Sequence, residues 1–245
     1  MITWLASYPR SGNTLLRTIL WETLRKESFG YPRRPDESAE KRPNLCEGFL
    51  DFTESYMEFF HRHQHSSDTV LLKSHEPPFD QSPAIHVVRD GRLAIHSYFQ
   101  FHKHFHPEHG ITLLDLVLGR DAYGDWSRHY EKWSRHTRRL ELRYEDLIQA
   151  SPDLVSEIAG FLGHTDSVQP WINPFKDFNS KSPEMYRQGS PVWQRPDEWC
   201  DRVDEAFWAI HGGTMLELGY GQEEERITDF TEDWLAQREG HDPKD

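Results

Sequence analysis

The chain has 245 residues, room for one domain with a sizeable core, and a single domain is the expectation. It carries 41 acidic against 28 basic residues, a formal charge of -13, which argues against general affinity for nucleic acid or an anionic membrane surface, so any anionic ligand must be held by a local basic pocket. No run of 18 apolar residues occurs, the opening Met1 to Tyr8 lacks a basic leader, and Cys46 and Cys200 stand in no metal-binding or redox spacing; the expectation is a cytoplasmic protein with no membrane insertion.

Residues 2 to 8 predict a short buried strand, and apolar positions 15, 16, 19, 20 and 24 recur at helical spacing through 14 to 26. The stretch from 30 to 48, rich in Pro, Gly and charge, predicts a long loop that shapes a substrate pocket. Further strands are expected at 69–73, 84–88 and 139–144, with helices near 92–103, 124–137, 152–162 and 197–218. Short apolar strands alternating with amphipathic helices imply an α/β domain, residues 1–221, with a central, mainly parallel sheet covered on both faces. The acidic tail, 222–245, is compatible with fraying or with one docked helix carrying Ile227, Phe230 and Trp234.

Between the first strand and helix lies Tyr8-Pro9-Arg10-Ser11-Gly12-Asn13-Thr14. A strand, a tight Gly-containing turn and a helix aim backbone N–H groups and the positive helix end at one spot suited to phosphate or sulfate. Arg10 adds a full charge, and Ser11 and Thr14 add hydroxyls. The GxxxxGK[ST] pattern of nucleoside triphosphate kinases and ATPases is absent, which disfavours both these and a phosphatase or nucleotide kinase reading. A plainer alternative is that Gly12 only permits a turn before a helix capped by Asn13.

The second strand ends in Lys73-Ser74-His75-Glu76-Pro77-Pro78, with positions 73 and 75 on one side of an extended chain. A histidine beside a cation at a strand end suits a general base, although with 15 histidines a surface role is the commoner outcome on spacing alone. The third strand leads into Arg89-Asp90-Gly91, with Ser97 eight residues on, a spacing that lets Arg89 and Ser97 grip a second phosphate; pairing of Arg89 with an acidic neighbour is the alternative. The histidines at 61, 63 and 65 and at 96, 102, 104, 106 and 109 raise a metal-dependent enzyme as a competing reading, but none forms an HExxH or a Cys/His pattern, so no metal is expected. The aromatic run from Tyr98 to Phe105 reads instead as acceptor pocket or core cover.

YPRSGNT resembles the 5′-phosphosulfate loop, YPKSGTTW, of the sulfotransferases that use 3′-phosphoadenosine-5′-phosphosulfate (PAPS). KSHEPP resembles their KTHLP, the segment from Arg89 through Ser97 to Phe99 their RNPRDVAVSYY, and Arg143-Tyr144-Glu145-Asp146-Leu147 their YYEDL. Asn173-Pro174-Phe175 is similar to their TSF element, and Arg187-Gln188-Gly189 with Trp193 to RKGxxGDW. The resemblance touches residues 2 to 220 and implies a P-loop-like nucleotide-binding fold and transfer of a sulfuryl group from PAPS to a hydroxyl or similar nucleophile of a small molecule, leaving adenosine-3′,5′-bisphosphate. It implies catalytic roles for His75, Lys73 and Arg10. Arg10, Ser11, Gly12, Asn13 and Thr14 would then surround the 5′-phosphate, Arg89 and Ser97 the 3′-phosphate, and Leu15, Tyr144 and Phe175 the adenine, with Arg187, Gln188 and Gly189 in the closing segment. Arg10 replaces the family's Lys, Leu15 its stacking Trp, and Gln188 the middle Lys of the closing segment. A non-catalytic module that binds an anionic nucleotide is the second reading. The sequence names neither the acceptor nor the oligomeric state.

Overall fold

The computed structural model describes residues 1–30, 46–52, 54–184 and 191–221. Six strands, β1 (Ile2–Ser7), β2 (Ser28–Phe29), β3 (Phe49–Leu50), β4 (Val70–Ser74), β5 (Ala84–Val88) and β6 (Arg139–Arg143), form one sheet in the order β3-β2-β4-β1-β5-β6. Every pairing in it is parallel. Nine α-helices accompany it: α1 (Asn13–Leu24), α2 (Tyr56–His63), α3 (Gly91–Phe105), α4 (Leu113–Val117), α5 (Trp126–Ser134), α6 (Tyr144–Gln149), α7 (Pro152–Phe161), α8 (Phe175–Lys181) and α9 (Asp201–Glu217), counted among the described residues.

Alternation along the strands builds two cores. Leu5, Leu71, Ile85, Val87 and Leu142 project to one face, where Leu16, Ile19 and Leu20 of α1, Leu147 of α6 and Ile158 of α7 cover them. Trp4, Ala6, Leu72 and Ala84 project to the other, against Phe59 and Phe60 of α2 and Trp133 of α5. Val88, α3, α4, α5 and α9 continue that second layer through Ile95, Leu116, Trp126, Phe207 and Met215. With both faces covered, β1 and β5 are buried along their whole length, which is why they read as largely apolar runs without polar alternation.

The α/β class and the parallel sheet agree with expectation, and so do the four longer strands. The chain after β1 crosses to one side of the sheet and the chain after β5 to the other, so the topological switch lies between these neighbours. Ligands of open parallel sheets bind in the crevice at such a point, beyond the carboxyl ends of the strands. The loop after β1, His75 after β4 and Arg89 after β5 all open there.

Three local readings are corrected. Gly12, left-handed at φ 109, precedes the first turn of α1, and Asn13 does not cap it: the Asn13 amide donates to the Leu5 carbonyl at 2.7 Å, tying the loop to β1. Tyr144 opens α6 and does not end β6. The helix near 124–137 is shorter, Trp126–Ser134, and starts on an Asp125 side-chain cap. The expected loop 30–48 lies mostly outside the described residues, but its flanks pair as β2 and β3. The tail 222–245 lies outside them as well; just before it, the Tyr220 hydroxyl donates to Glu145 at 2.7 Å and its ring packs on Arg143. No helix among the described residues is long and apolar enough to cross a membrane.

Candidate active site

The loop after β1 combines two left-handed residues, Arg10 (φ 63) and Gly12 (φ 109), around Ser11, whose N–H donates to the Tyr8 carbonyl at 3.2 Å. A non-glycine residue in this region is uncommon, and the strain at Arg10 marks a loop shaped for more than chain reversal. A Cβ on Gly12 would lie 2.6 Å from Cδ2 of Tyr144, so glycine is required by space as well as by φ. Ser11 is buried with no hydrogen-bond partner for its Oγ, and α1 begins at Asn13 with the first N–H groups that no helix can satisfy internally. Buried unpaired donors, the helix dipole and the Arg10 charge define an anion cradle.

Arg89, Ser97 and Arg10 come from three parts of the chain and meet here. The Arg89 Nη1 donates to the Arg10 carbonyl at 2.9 Å, and Arg10 Nε points at Ser97 Oγ at 3.4 Å. Arg89 is buried, its guanidinium carbon lies 4.2 Å from the centre of the Tyr144 ring, and its Nε has no hydrogen-bond partner. Burial pulls its pKa below the ordinary arginine value, while Tyr144, Glu145 and Asp90 act in the opposite sense. Asp90 is engaged elsewhere, capping α3 through the Arg92 N–H and pairing with the Arg92 guanidinium at 2.7 Å. Among the described residues Arg89 makes no ion pair with an acidic side chain.

His75 follows β4 directly. Its Nδ1 lies 2.7 Å from the Ser7 carbonyl, an oxygen that can only accept, so Nδ1 carries the proton and Nε2 carries the lone pair. Burial above all, and then the positive charge of Lys73, hold its pKa well below the ordinary histidine value, which keeps the ring neutral at pH 7. Lys73 itself is half-buried in β4, in register with Leu5, and its carbonyl accepts from the Tyr56 hydroxyl at 3.1 Å.

Several neighbours were not legible beforehand. The Tyr123 ring packs edge-on against His75 at 5.5 Å, and Asp121 holds that segment by accepting from the Tyr123 N–H at 2.7 Å and the Tyr98 hydroxyl at 2.6 Å. Phe101 underlies Arg10, 5.5 Å from ring centre to guanidinium. Aromatics after Ser97 hinted at Phe101; nothing in the sequence pointed to Asp121 or Tyr123. Leu15 is buried in the core that contains Tyr144, and Phe175, at the start of α8, packs against that core. Thr14 is half-buried on the first turn of α1. Arg187, Gln188 and Gly189 lie outside the described residues.

The site thus brings an oriented imidazole, two arginines and a loop with buried unpaired polar atoms together at the carboxyl end of a parallel sheet. The sulfotransferase domain family matches residues 2–190, and the chain belongs to that family. Human sulfotransferase 4A1 is 25% identical over 179 residues, covering 65% of this chain and 59% of that protein. Cytosolic sulfotransferase 13 of Arabidopsis thaliana is 23% identical over 180 residues, covering 66% of this chain and 53% of that protein. The chain thus spans little more than half the length of these curated relatives. Among solved structures, mouse sulfotransferase SULT7A1 complexed with PAP superposes with a TM-score of 0.58 at 16% identity, covering 89% of this chain and 88% of that one. Retinol dehydratase in complex with androsterone and inactive cofactor PAP gives 0.51 at 17% identity, covering 94% and 83%. At such identities the superpositions speak for the shared fold.

Proposed function

We propose that this protein transfers the sulfuryl group of PAPS to a hydroxyl or similar nucleophile of a small molecule by in-line displacement, with His75 as general base. The observation that carries the proposal is the 2.7 Å contact between His75 Nδ1 and the Ser7 carbonyl, next to a loop where Arg10, Arg89 and Ser97 converge. In a protein of net charge -13, cations drawn together from distant segments and walled by buried unpaired donors call for an anionic ligand.

In the proposed step the acceptor hydroxyl gives its proton to His75 Nε2 as its oxygen bonds to sulfur, and the bond from sulfur to the bridging phosphate oxygen breaks. The electron pair of that bond leaves on the 5′-phosphate of adenosine-3′,5′-bisphosphate. Arg10, Lys73 and the first N–H groups of α1 stabilise this charge and that on the equatorial sulfuryl oxygens, so most of the rate comes from positioning and electrostatics. Arg10 acts here by charge alone, because a guanidinium with a pKa above about 12 is a poor proton donor. Arg89 and Ser97 take the 3′-phosphate. Tyr144, Leu15 and Phe175 border the adenine, with Leu15 supplying an apolar and non-aromatic wall where the family carries Trp. Arg187, Gln188 and Gly189 belong to the segment that closes over the nucleotide. The sulfotransferase domain spans 1–221 on this reading, supported by the docking of Tyr220 on Glu145.

The test is PAPS consumption measured against a chemically broad library of hydroxyl and amine acceptors, alongside calorimetric titration of adenosine-3′,5′-bisphosphate. Saturable binding with acceptor-dependent turnover is expected. Binding with no turnover on any acceptor would favour the non-catalytic nucleotide-binding module, and no binding would overturn both.

A further inference from the structure

The histidine-rich run after Phe101 shows no metal pattern in the sequence, yet folding draws part of it together. α3 ends at Phe105; the His106 N–H closes the helix on the His102 carbonyl at 2.8 Å, and Pro107–His109 forms one 3-10 turn. The turn is shut by His109 N–H to the His106 carbonyl at 3.0 Å and by Gly110, left-handed at φ 59, to the Pro107 carbonyl at 3.2 Å. Residues three apart eclipse in such a turn. The rings of His106 and His109 accordingly lie close together, 5.0 Å between centres and 7° from parallel.

Glu108 reaches between them. Its Oε1 is 3.5 Å from His106 Nδ1 and 3.8 Å from His109 Nε2, and the three ligand atoms all lie within 4.8 Å of one another. These separations are longer than ordinary hydrogen bonds and fall at ion-pair range. They are close to the spacing of about 3.3–3.5 Å that two donors keep when each stands about 2.0–2.1 Å from one tetrahedral ion. One helical turn back, His102 is buried with its Nε2 3.5 Å from Asp121 Oδ2, its ring 5.6 Å from that of His109 and 6.1 Å from that of His106. The turn thus gathers two imidazoles and a carboxylate at ion-pair distances, with a third imidazole beneath them.

We propose that His106, Glu108 and His109 form a binding site for one divalent transition-metal ion of the zinc type, with water completing the coordination. Two imidazoles and a carboxylate suit zinc, copper or nickel and not magnesium or calcium, which prefer all-oxygen shells. The site is separate from the anion cradle, from which Phe101 divides it: that ring lies under Arg10 on one side and 5.6 Å from His106 on the other. The ion pins the end of α3 to the turn that follows and takes no part in sulfuryl transfer.

The full chain, stripped with chelator and dialysed, is titrated with zinc chloride at pH 7.5 by calorimetry and then melted with and without the ion. One equivalent is expected to bind with micromolar or tighter affinity, magnesium giving no signal, and cobalt(II) is expected to give the visible absorption of a tetrahedral site. His109→Ala and Glu108→Gln, both on exposed side chains that leave the core intact, should each weaken zinc by about tenfold or more. They should also abolish the zinc-induced rise in Tm. A His61→Ala/His65→Ala variant, removing surface imidazoles elsewhere, should bind as the parent does. Failure to observe a one-equivalent saturable site, or parental affinity in both His109→Ala and Glu108→Gln, overturns the proposal.

Discussion

Tyr144 stands between Arg89 and Gly12: the Arg89 guanidinium carbon lies 4.2 Å from its ring centre, and its Cδ2 occupies the space where a Cβ on Gly12 would come within 2.6 Å. One ring from the start of α6 therefore sets the position of the arginine after β5 and the backbone of the loop after β1. The anion cradle is held by packing from three segments that are remote in sequence.

That contact makes Gly12→Ala a severe change. The methyl group meets Tyr144 and the residue must keep a left-handed φ, which costs about 1–2 kcal/mol before any clash. A lower Tm is expected, together with loss of most affinity for both adenosine 5′-monophosphate and the 3′,5′-bisphosphate, read by differential scanning calorimetry and titration calorimetry. Unchanged nucleotide affinity would remove the loop from the site.

Arg89→Ala should weaken the 3′,5′-bisphosphate far more than the 5′-monophosphate. Because Arg89 also holds the Arg10 carbonyl and stacks on Tyr144, Arg89→Lys is the finer probe. Lysine keeps the charge but loses the planar fork, so an intermediate loss is expected for the bisphosphate. Equal losses for both ligands in both variants would show that Arg89 does not read the 3′-phosphate.

His75→Ala should lower kcat by about two to four orders of magnitude and leave bisphosphate binding nearly unchanged. His75→Asn keeps a donor toward the Ser7 carbonyl without a basic nitrogen, and should be as inactive as the alanine variant. Measured with any acceptor that supports turnover, activity comparable to the parent in either variant rules His75 out as the base.

The depressed pKa of His75 fixes the sense of the pH dependence. The base is active when neutral, so kcat/KM should stay flat from pH 7 down through the ordinary histidine range and fall only in more acidic solution. A limb centred near pH 6.5 would contradict the buried, Lys73-flanked environment.

Stability follows the same sign. His86 and His129 are pushed below the usual value by burial, and burial takes His211 to about 4 while its ring is held between Ser127 Oγ at 2.8 Å and the Val117 carbonyl at 3.0 Å. Below pH 6.5 the unfolded chain binds protons at these positions that the folded chain does not. Stability is therefore full above the ordinary histidine pKa and is lost as pH falls through the window down to the depressed values. Tm measured from pH 7.5 to 4.5 should drop steadily below pH 6.5, and His211→Gln, although less stable at neutral pH, should show a shallower slope.

The residues of the site that could be read in advance are those placed by local rules. Ser7 to Thr14 form a strand, turn and helix within a dozen positions, and His75 and Arg89 each follow an apolar run that has no choice but to be a buried strand. The two-residue strands carry no period of their own: β2 forms on the edge that β4 offers, and β3 on the edge of β2. Tyr144 continues the alternation of β6 in sequence, yet it starts a helix, and its ring packs against Gly12 and Arg89.

The sequence by itself determined the parallel α/β architecture and the chemical identity of the cations and the imidazole, since hydrophobic period and side-chain type are properties of short stretches. Only the three-dimensional structure decided which nitrogen of His75 holds its proton, through a carbonyl 68 residues away, and that ligand atoms of His106, Glu108 and His109 lie within 4.8 Å of one another. The first depends on a contact between distant segments that carries no periodic signal, the second on a 3-10 turn and side-chain rotamers that residue types alone do not specify.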